Sequence, residues 1–234
     1  MSNLWTLGNP KTAKGEAAGY LTAVLHLAPH TAGDGRRNVC PHASAECIAL
    51  CLNTAGRGGI FKRGETTNVI QEARKRRTRE YFAGRAAFGD RLIDDAQAVV
   101  RKAKREGLRV AFRLNGTSDL DWYRNDATLV GALADLGTLY DYTKDPRKAA
   151  RVSDPIDYTL SWSGENALAC DVHLRSGGRL AVVFGKVLPA TFLGVPVVNG
   201  DEHDLTFLRP RGVVLGLKAK GRARKHVGPF VVRQ

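Results

Sequence analysis

The chain has 234 residues, 43% of them hydrophobic, and a formal net charge of +13 at pH 7. This length allows one large α/β domain or two small ones, and the apolar content is sufficient to bury a core. No apolar run reaches the length of a membrane span, and the first residues lack a signal-peptide pattern, so we expect a soluble, intracellular protein that does not bind a membrane.

The first predicted strand covers residues 19–27 and is followed by a segment that holds three of the chain's four cysteines, Cys40, Cys47 and Cys51. In a reducing compartment, cysteines act as ligands or free thiols rather than as a disulfide framework. Cys47 and Cys51 are one helical turn apart, so both thiols can face one point while Cys40 approaches from the preceding loop. We therefore predict that the three sulfur atoms converge on one site.

Three converging thiolates suit a soft metal ion or an iron–sulfur cluster. His42 is near enough in sequence to supply a fourth ligand to zinc, although C-x-H-x4-C-x3-C is not the spacing of a standard zinc finger. The alternative is three buried, unligated cysteines, because free cysteine packs as a small hydrophobe. Burial alone does not predict clustering, so the pattern favours ligation.

Beyond the cysteines, helical and strand patterns alternate. The predicted helices cover residues 68–82, 88–106 and 126–136. The predicted strands cover residues 108–114, 138–142, 157–161, 180–184, 195–198 and 213–217. This order predicts a single α/β domain over residues 1–234, with a largely parallel sheet in a complete or partial (β/α) barrel-like fold. The glycine-rich fingerprint of a dinucleotide-binding fold is missing, and the shorter connections after residue 180 allow antiparallel pairing.

Polar segments follow several of the predicted strands, at positions that form the catalytic face of a barrel. The candidate catalytic residues are Asn115, Ser118, Asp119, Tyr142, Lys144, Ser161 and Glu165. Asp119 and Glu165 can act as a general base or nucleophile, and Lys144 can orient an anion. Ordinary polar loops are the alternative, and Asp119 can instead cap a helix that begins near Leu120. We expect Asn115, Asp119, Lys144 and Glu165 to share one cleft with the cysteines, and both carboxylates to be exposed.

Basic residues concentrate in two places. The first cluster contains Arg57, Arg74, Lys75, Arg76, Arg77 and Arg79, and the second forms a basic C-terminal tail from about residue 218 with Lys218, Lys220, Arg222, Arg224 and Lys225. Such density is typical of a protein that binds a polyanion, most often nucleic acid. A solvated helix face and a solubility tail are the alternative, but two clusters on a chain of this charge favour nucleic acid.

Several segments together resemble the phage gene product 88 family. They are the cysteine segment with Gly56-Arg57 and residues 113–119, 140–144, 158–161, 199–205 and 216–221. The resemblance spans most of the chain. It implies a phage- or prophage-encoded protein in the cytoplasm of the infected bacterial host, and it implies no particular mechanism.

The cysteine segment is also similar to that of radical-SAM-type barrels, in which three cysteines after the first strand hold a [4Fe–4S] cluster with one open iron. Position and ligand number match, whereas the usual spacing is C-x3-C-x2-C. A further similarity is to the tRNA- and DNA-guanine transglycosylases, which are barrels with a Cys/His zinc site and an Asp nucleophile, although their zinc motif lies late in the chain. These similarities imply an iron–sulfur cluster, with or without S-adenosylmethionine, or zinc.

These patterns lead to a functional hypothesis: a phage enzyme that modifies a nucleobase or nucleotide, acting on DNA rather than RNA, with a cysteine-ligated metal or iron–sulfur centre. Two alternatives remain. One is a non-catalytic DNA-binding protein with a structural zinc site, and the other is a zinc-containing base-exchange enzyme similar to the guanine transglycosylases. The sequence leaves the substrate base, the metal and the oligomeric state open.

Overall fold

The strands begin close to where the apolar runs predict them. The computed structural model describes residues 3–8 and 10–233. Its strands are β1 (Trp5–Thr6), β2 (Tyr20–Leu25), β3 (Arg109–Arg113), β4 (Thr138–Thr143), β5 (Asp157–Ser161), β6 (Leu180–Phe184), β7 (Thr191–Phe192), β8 (Val195–Asn199), β9 (Val214–Lys218) and β10 (Val231–Val232). The central strands are almost entirely buried, which explains why they read as continuous apolar runs.

All ten strands belong to one sheet in the order β1-β2-β3-β4-β5-β6-β9-β8-β7, with β10 beside β6. Every pairing from β2 through β9 to β8 is parallel, whereas β1 with β2 and β7 with β8 are antiparallel. The single mixed α/β domain with a largely parallel sheet is thus confirmed. The sheet is not closed within the described residues, so the prediction of a complete barrel was wrong. Among the described residues after 180, antiparallel pairing occurs only in the β7–β8 hairpin, whereas β9 pairs in parallel with β6 and β8.

Eight α-helices connect or flank the strands of the described chain. They are α1 (Pro10–Glu16), α2 (Ala45–Ala49), α3 (Val69–Ala83), α4 (Arg85–Arg105), α5 (Trp122–Asn125), α6 (Ala127–Leu136), α7 (Pro146–Ala149) and α8 (Ala167–Arg175). The side chains of Asn68, Asp121 and Asp126 accept hydrogen bonds from the first turns of α3, α5 and α6. Within the described residues, no helix is both long and apolar enough to cross a bilayer.

The main core lies between the sheet and its longest helix. One face of α4 buries Leu92, Ala96, Val99 and Ala103, which recur at three- and four-residue intervals. A second apolar cluster surrounds β6 and includes Cys170 of α8. The strand register places both clusters on the same face of the sheet. The carboxyl ends of the parallel strands share one edge of the sheet.

The residues after β9 return to this edge. Gly221–Lys225 form a 3-10 helix, and β10 then pairs in parallel with the end of β6. Ala223 and Val231 pack with Leu50 of the cysteine segment. The segment expected as a basic tail from about residue 218 therefore contains ordered structure that lies against the cysteines.

Candidate active-site cleft

A cleft of about 270 Å³ opens at the carboxyl ends of the parallel strands. Its lining includes all three clustered cysteines and six of the seven candidate catalytic residues, namely Asn115, Ser118, Asp119, Tyr142, Lys144 and Ser161. The cysteines follow β2, and Asn115, Ser118 and Asp119 follow β3. Tyr142 and Lys144 lie at the end of β4 and Ser161 ends β5, as expected for residues gathered by a parallel sheet. The topology therefore brings together groups that are more than 100 residues apart in sequence.

The cysteine segment forms one wall of the cleft. Cys47 lies in α2, whose first turn is capped by Ser44, and Cys51 follows this short helix. The Cys40 sulfur accepts a hydrogen bond from the His30 amide at 3.3 Å and lies 3.8 Å from the Thr117 carbonyl oxygen. All four cysteines of the chain are free thiols.

Burial sets the protonation of the clustered thiols. It raises the pKa of Cys40 to about 12 and raises the pKa values of Cys47 and Cys51 as well. Repulsion from Cys51, Asp119 and Cys47 adds to the pKa rise at Cys40. A bound cation would reverse this effect, because it favours the thiolate.

The ligand geometry of a metal site is not formed. In the described part of the chain, no three or more His, Cys, Asp or Glu side chains are arranged to hold a metal ion. His42 lies outside the lining of the cleft, and its Nε2 atom is 3.3 Å from an Asp145 carboxylate oxygen. The thiols share one cleft, and His42 is engaged elsewhere.

Asn115 organises the loop that follows β3. It is only 2% exposed, and its Oδ1 atom accepts hydrogen bonds from the Ser118 hydroxyl, the Leu120 amide and the Trp122 indole. Its Nδ2 group donates to the Leu120 carbonyl at 3.1 Å. With its oxygen fully engaged, Asn115 is suited to hold this wall of the cleft in place.

Asp119 is one of three aspartates that line the cleft, and its setting differs from the expected one. It is only 9% exposed, so the expectation of an exposed side chain was wrong. Its Oδ1 atom lies 2.5 Å from the ammonium of Lys148, which is 1% exposed, and its Oδ2 atom accepts from the Lys144 amide at 2.8 Å. The helix cap nearby is Asp121 rather than Asp119. Asp119 thus joins the turns that follow β3 and β4.

Lys144 and Glu165 occupy opposite settings. The Lys144 ammonium donates to the Trp162 carbonyl at 2.9 Å and lies 5.0 Å from the Phe230 ring centre, and burial lowers its pKa. Glu165 is exposed and outside the cleft lining, although its charge is felt by Lys144. Lys144 can therefore meet a bound anion inside the cleft, whereas Glu165 lies near its rim.

The sequence did not predict a largely buried ion network in the wall of the cleft. Arg113 donates to Asp204 at 2.7 Å and lies 3.4 Å from Asp141, and its guanidinium is 4.6 Å from the Tyr142 ring centre. The Tyr142 hydroxyl donates to Asp204 at 3.3 Å. The available signal was a charged residue inside a buried strand, since Asp141 interrupts β4 and Arg113 ends β3. Arg113 and Asp204 line the cleft.

Asp141 predicts a measurable dependence of stability on pH. Burial raises its pKa from an ordinary 3.8 to about 6, so the folded state holds this proton more tightly than the unfolded chain. Its contribution to stability is complete below about pH 4 and is lost as the pH rises through about 6. The free energy of unfolding of Asp141→Asn, measured with urea across this pH range, should not show this decrease. A decrease as large as in the unsubstituted protein would contradict the attribution of the pH dependence to Asp141.

The two basic clusters differ in how many of their side chains make hydrogen bonds or ion pairs within the fold. Arg74 donates to Asn53 at 2.6 Å and Arg77 donates to the Asn3 carbonyl at 3.2 Å. Lys75 pairs with Glu72, and Arg76 with Glu80. Lys220 pairs with Asp201, whereas Arg57, Arg79, Lys218, Arg222, Arg224 and Lys225 are exposed. Much of the first cluster therefore braces the fold around the cysteine segment, and the second cluster supplies more of the free positive surface.

Comparison with known proteins places this arrangement in a family. No curated protein and no solved structure matches the chain significantly. The sequence model of the family described as Gene product 88 matches residues 3–230, which include the cysteine segment and every residue that lines the cleft. The chain therefore belongs to the phage gene product 88 family, as the sequence resemblance indicated.

Proposed function

We propose that the protein is a phage-encoded enzyme that modifies a nucleobase or nucleotide, with an iron–sulfur cluster held by Cys40, Cys47 and Cys51. The observation that carries this proposal is the shared cleft. Three thiols from the segment after β2 line it together with polar side chains from the ends of β3, β4 and β5. Cysteines that serve only as small core residues pack among apolar side chains, whereas these three line a cleft together with Asp119 and Lys144.

The type and number of donors in the cleft, rather than their present arrangement, support such a cluster. Three thiols provide three of the four ligands that iron–sulfur clusters usually take from cysteine, and Arg74 and Lys144 lie close enough to the thiols to offset their negative charge. When bound, a cluster with one open iron supplies electron-transfer chemistry, with or without S-adenosylmethionine. His42 is less well placed, so a zinc site with His42 as fourth ligand is the weaker interpretation.

The strand order supports a partial barrel as the finer description of this fold. Six strands, β2, β3, β4, β5, β6 and β9, lie side by side in chain order and are all parallel. The cysteine segment follows the first of these strands, which is where radical-SAM-type barrels carry theirs. We infer that the six strands curve around the cleft.

The side chains of the cleft suggest how a nucleotide is held. Lys144 has its ammonium at the cleft wall and can bind a phosphate or other anionic group. Tyr142 and Trp162 line the same space and offer ring faces to a base. Asn115 and Asp119, whose oxygens already accept internal hydrogen bonds, keep these groups in position. The substrate contacts therefore come from β4 and β5, and their support comes from β3.

The first test is the metal content of protein purified without oxygen. The proposal predicts brown protein with broad visible absorbance and about four iron and four sulfide ions per chain. Stoichiometric zinc and colourless protein would instead favour the DNA-binding module or a base-exchange enzyme similar to the guanine transglycosylases. Iron content below one ion per chain after reconstitution with iron and sulfide would refute the cluster.

The second test is the salt dependence of binding to duplex DNA, which we propose as the partner in preference to RNA. The logarithm of the association constant should fall linearly with the logarithm of salt concentration, by about 0.9 for each phosphate neutralised. Fluorescence anisotropy with a labelled duplex measures this slope, and a parallel titration with RNA of the same sequence measures the preference. Binding that is insensitive to salt, or absent at low salt, contradicts a nucleic-acid substrate.

A further inference from the structure

Two basic segments that are far apart in sequence meet at the mouth of the cleft. Gly221 lies against the loop after the cysteines, where a β-carbon placed on it would be 3.5 Å from the β-carbon of Ala55. Arg57 is two residues from Ala55, and Arg222, Arg224 and Lys225 follow Gly221 directly. We call these four exposed residues the basic strip.

The cations of the basic strip face solvent rather than carboxylates. In the part of the chain that the structure describes, no ion pair involves any of the four side chains. The backbone beneath them is braced, since Arg233 donates to the carbonyls of Ala223 and Arg224. A rigid group of exposed cations without internal partners complements a regularly spaced polyanion.

Leu52 lies between the basic strip and the interior of the cleft. It follows Cys51 directly, lines the cleft and is 60% exposed. A single exposed leucine needs no explanation by itself, but this one projects at the entrance to a site that contains the three thiols. Architectural DNA-binding proteins use leucine, isoleucine or phenylalanine at such positions as wedges between base pairs.

We propose that the basic strip holds the backbone of a DNA duplex from which one nucleotide is extruded into the cleft, while Leu52 fills the gap left in the base stack. This inference rests on the proposed function, since it names the form in which the substrate reaches the same cleft. It assigns backbone binding to Arg57, Arg222, Arg224 and Lys225, and it assigns base extrusion to Leu52.

The dimensions and chemistry of the surface support extrusion from a duplex. A cleft of about 270 Å³ accepts a nucleotide and excludes a stacked base pair, so a base must leave the helix to reach the thiols. Proteins that bind single strands present successive aromatic platforms to the bases. The large apolar side chains exposed between α2 and the start of α3, both included, are mainly aliphatic, namely Ile48, Leu52, Ile60 and Val69 with Phe61. They suit wedging better than continuous stacking.

Base extrusion is testable by the fluorescence of 2-aminopurine, which rises when stacking of its neighbour is lost. The probes are four duplexes of about 20 base pairs that differ only in the central base, with 2-aminopurine next to that base. The full chain, loaded with its metal centre, should raise the fluorescence several-fold for at least one duplex. Leu52→Ala should abolish most of this rise with less than a threefold change in affinity, and Leu52→Met should retain it.

Val152→Ala is the matched control for Leu52, because Val152 is an exposed apolar residue before β5 at the opposite edge of the sheet. It should leave the fluorescence rise unchanged. No rise with any of the four duplexes, although the protein binds them, overturns the extrusion proposal and leaves the nucleic-acid function standing. A full rise with Leu52→Ala overturns the role of Leu52.

The basic strip is tested by charge removal. The triple variant Arg222→Ala, Arg224→Ala and Lys225→Ala should weaken duplex binding at least tenfold and reduce the salt slope by roughly one unit for each phosphate that is no longer neutralised. The control triple variant, Arg101→Ala, Lys104→Ala and Arg105→Ala, removes equal charge near the end of α4, beside the amino end of β3. Equal decreases in affinity for both variants would show that net charge rather than the strip binds the duplex, and would overturn the proposal.

Discussion

Replacing Lys148 by methionine should lower the free energy of unfolding by about 3–5 kcal/mol. The side chain of Lys148 is 1% exposed, and its ammonium donates to Asp119 at 2.5 Å and to the Leu120 carbonyl at 3.1 Å. Methionine fills a similar volume but leaves the Asp119 carboxylate buried without its cation. Urea denaturation followed by circular dichroism measures the change.

The control for this variant is Lys102→Met, which breaks the pair between Lys102 and Glu106 on the surface of α4. Both partners of that pair are well exposed, so its removal should cost less than about 1 kcal/mol. If Lys148→Met cost no more than Lys102→Met, Asp119 would not depend on Lys148, and the account of the turn after β3 would fail.

Serine in place of Cys40, Cys47 or Cys51 should remove most of the bound iron from protein purified without oxygen. Each of these thiols lines the cleft, and a serine hydroxyl ionises far less readily than a thiol and binds iron poorly. Iron and sulfide analysis, together with the visible absorbance of each variant, measures the decrease. Any nucleobase modification that depends on the cluster should fall below detection in the same three variants.

Cys170→Ala is the control, because Cys170 packs in the apolar cluster around β6 and does not line the cleft. This variant should keep its iron even if its stability decreases through poorer packing. Equal iron in all four variants would show that the cluster, if present, is held elsewhere. Loss of iron only from Cys170→Ala would reverse the assignment.

The sequence predicts the fold well where burial decides it. β5 and β6 lie at their predicted positions, and β3, β4, β8 and β9 lie within one residue of theirs at each end, because apolar runs between turn signals mark buried parallel strands. The same patterns could not reveal whether the sheet closes, since closure depends on strand twist and tilt rather than on which residues are apolar. They also missed α8, which is only nine residues long and whose exposed Leu168 and Val172 obscure its periodicity.

The position of the cleft could be predicted from the sequence, whereas most of the contacts between its side chains could not. Strand ends of one parallel sheet share an edge, which is why Asn115, Asp119 and Lys144 were expected to meet the cysteines. The partner of Asp119 was not predictable, because Lys148 reads as a surface residue of a basic helix and becomes buried only through tertiary packing. Glu165 was predicted to lie in the cleft but is exposed outside it, because a residue that follows a strand need not point inwards.

The hydrogen bond from the Phe230 amide to Glu46 joins residues 184 positions apart, and it has a consequence for biosynthesis. Contacts of such sequence separation form late, because a long loop must close before they contribute. While the ribosome is still making residues 221–232, the cysteine segment has already emerged and lacks its cover. Delivery of the proposed cluster would therefore have an interval before the wall formed by Phe230 is in place. We expect iron loading of the finished protein to be slower than loading during translation.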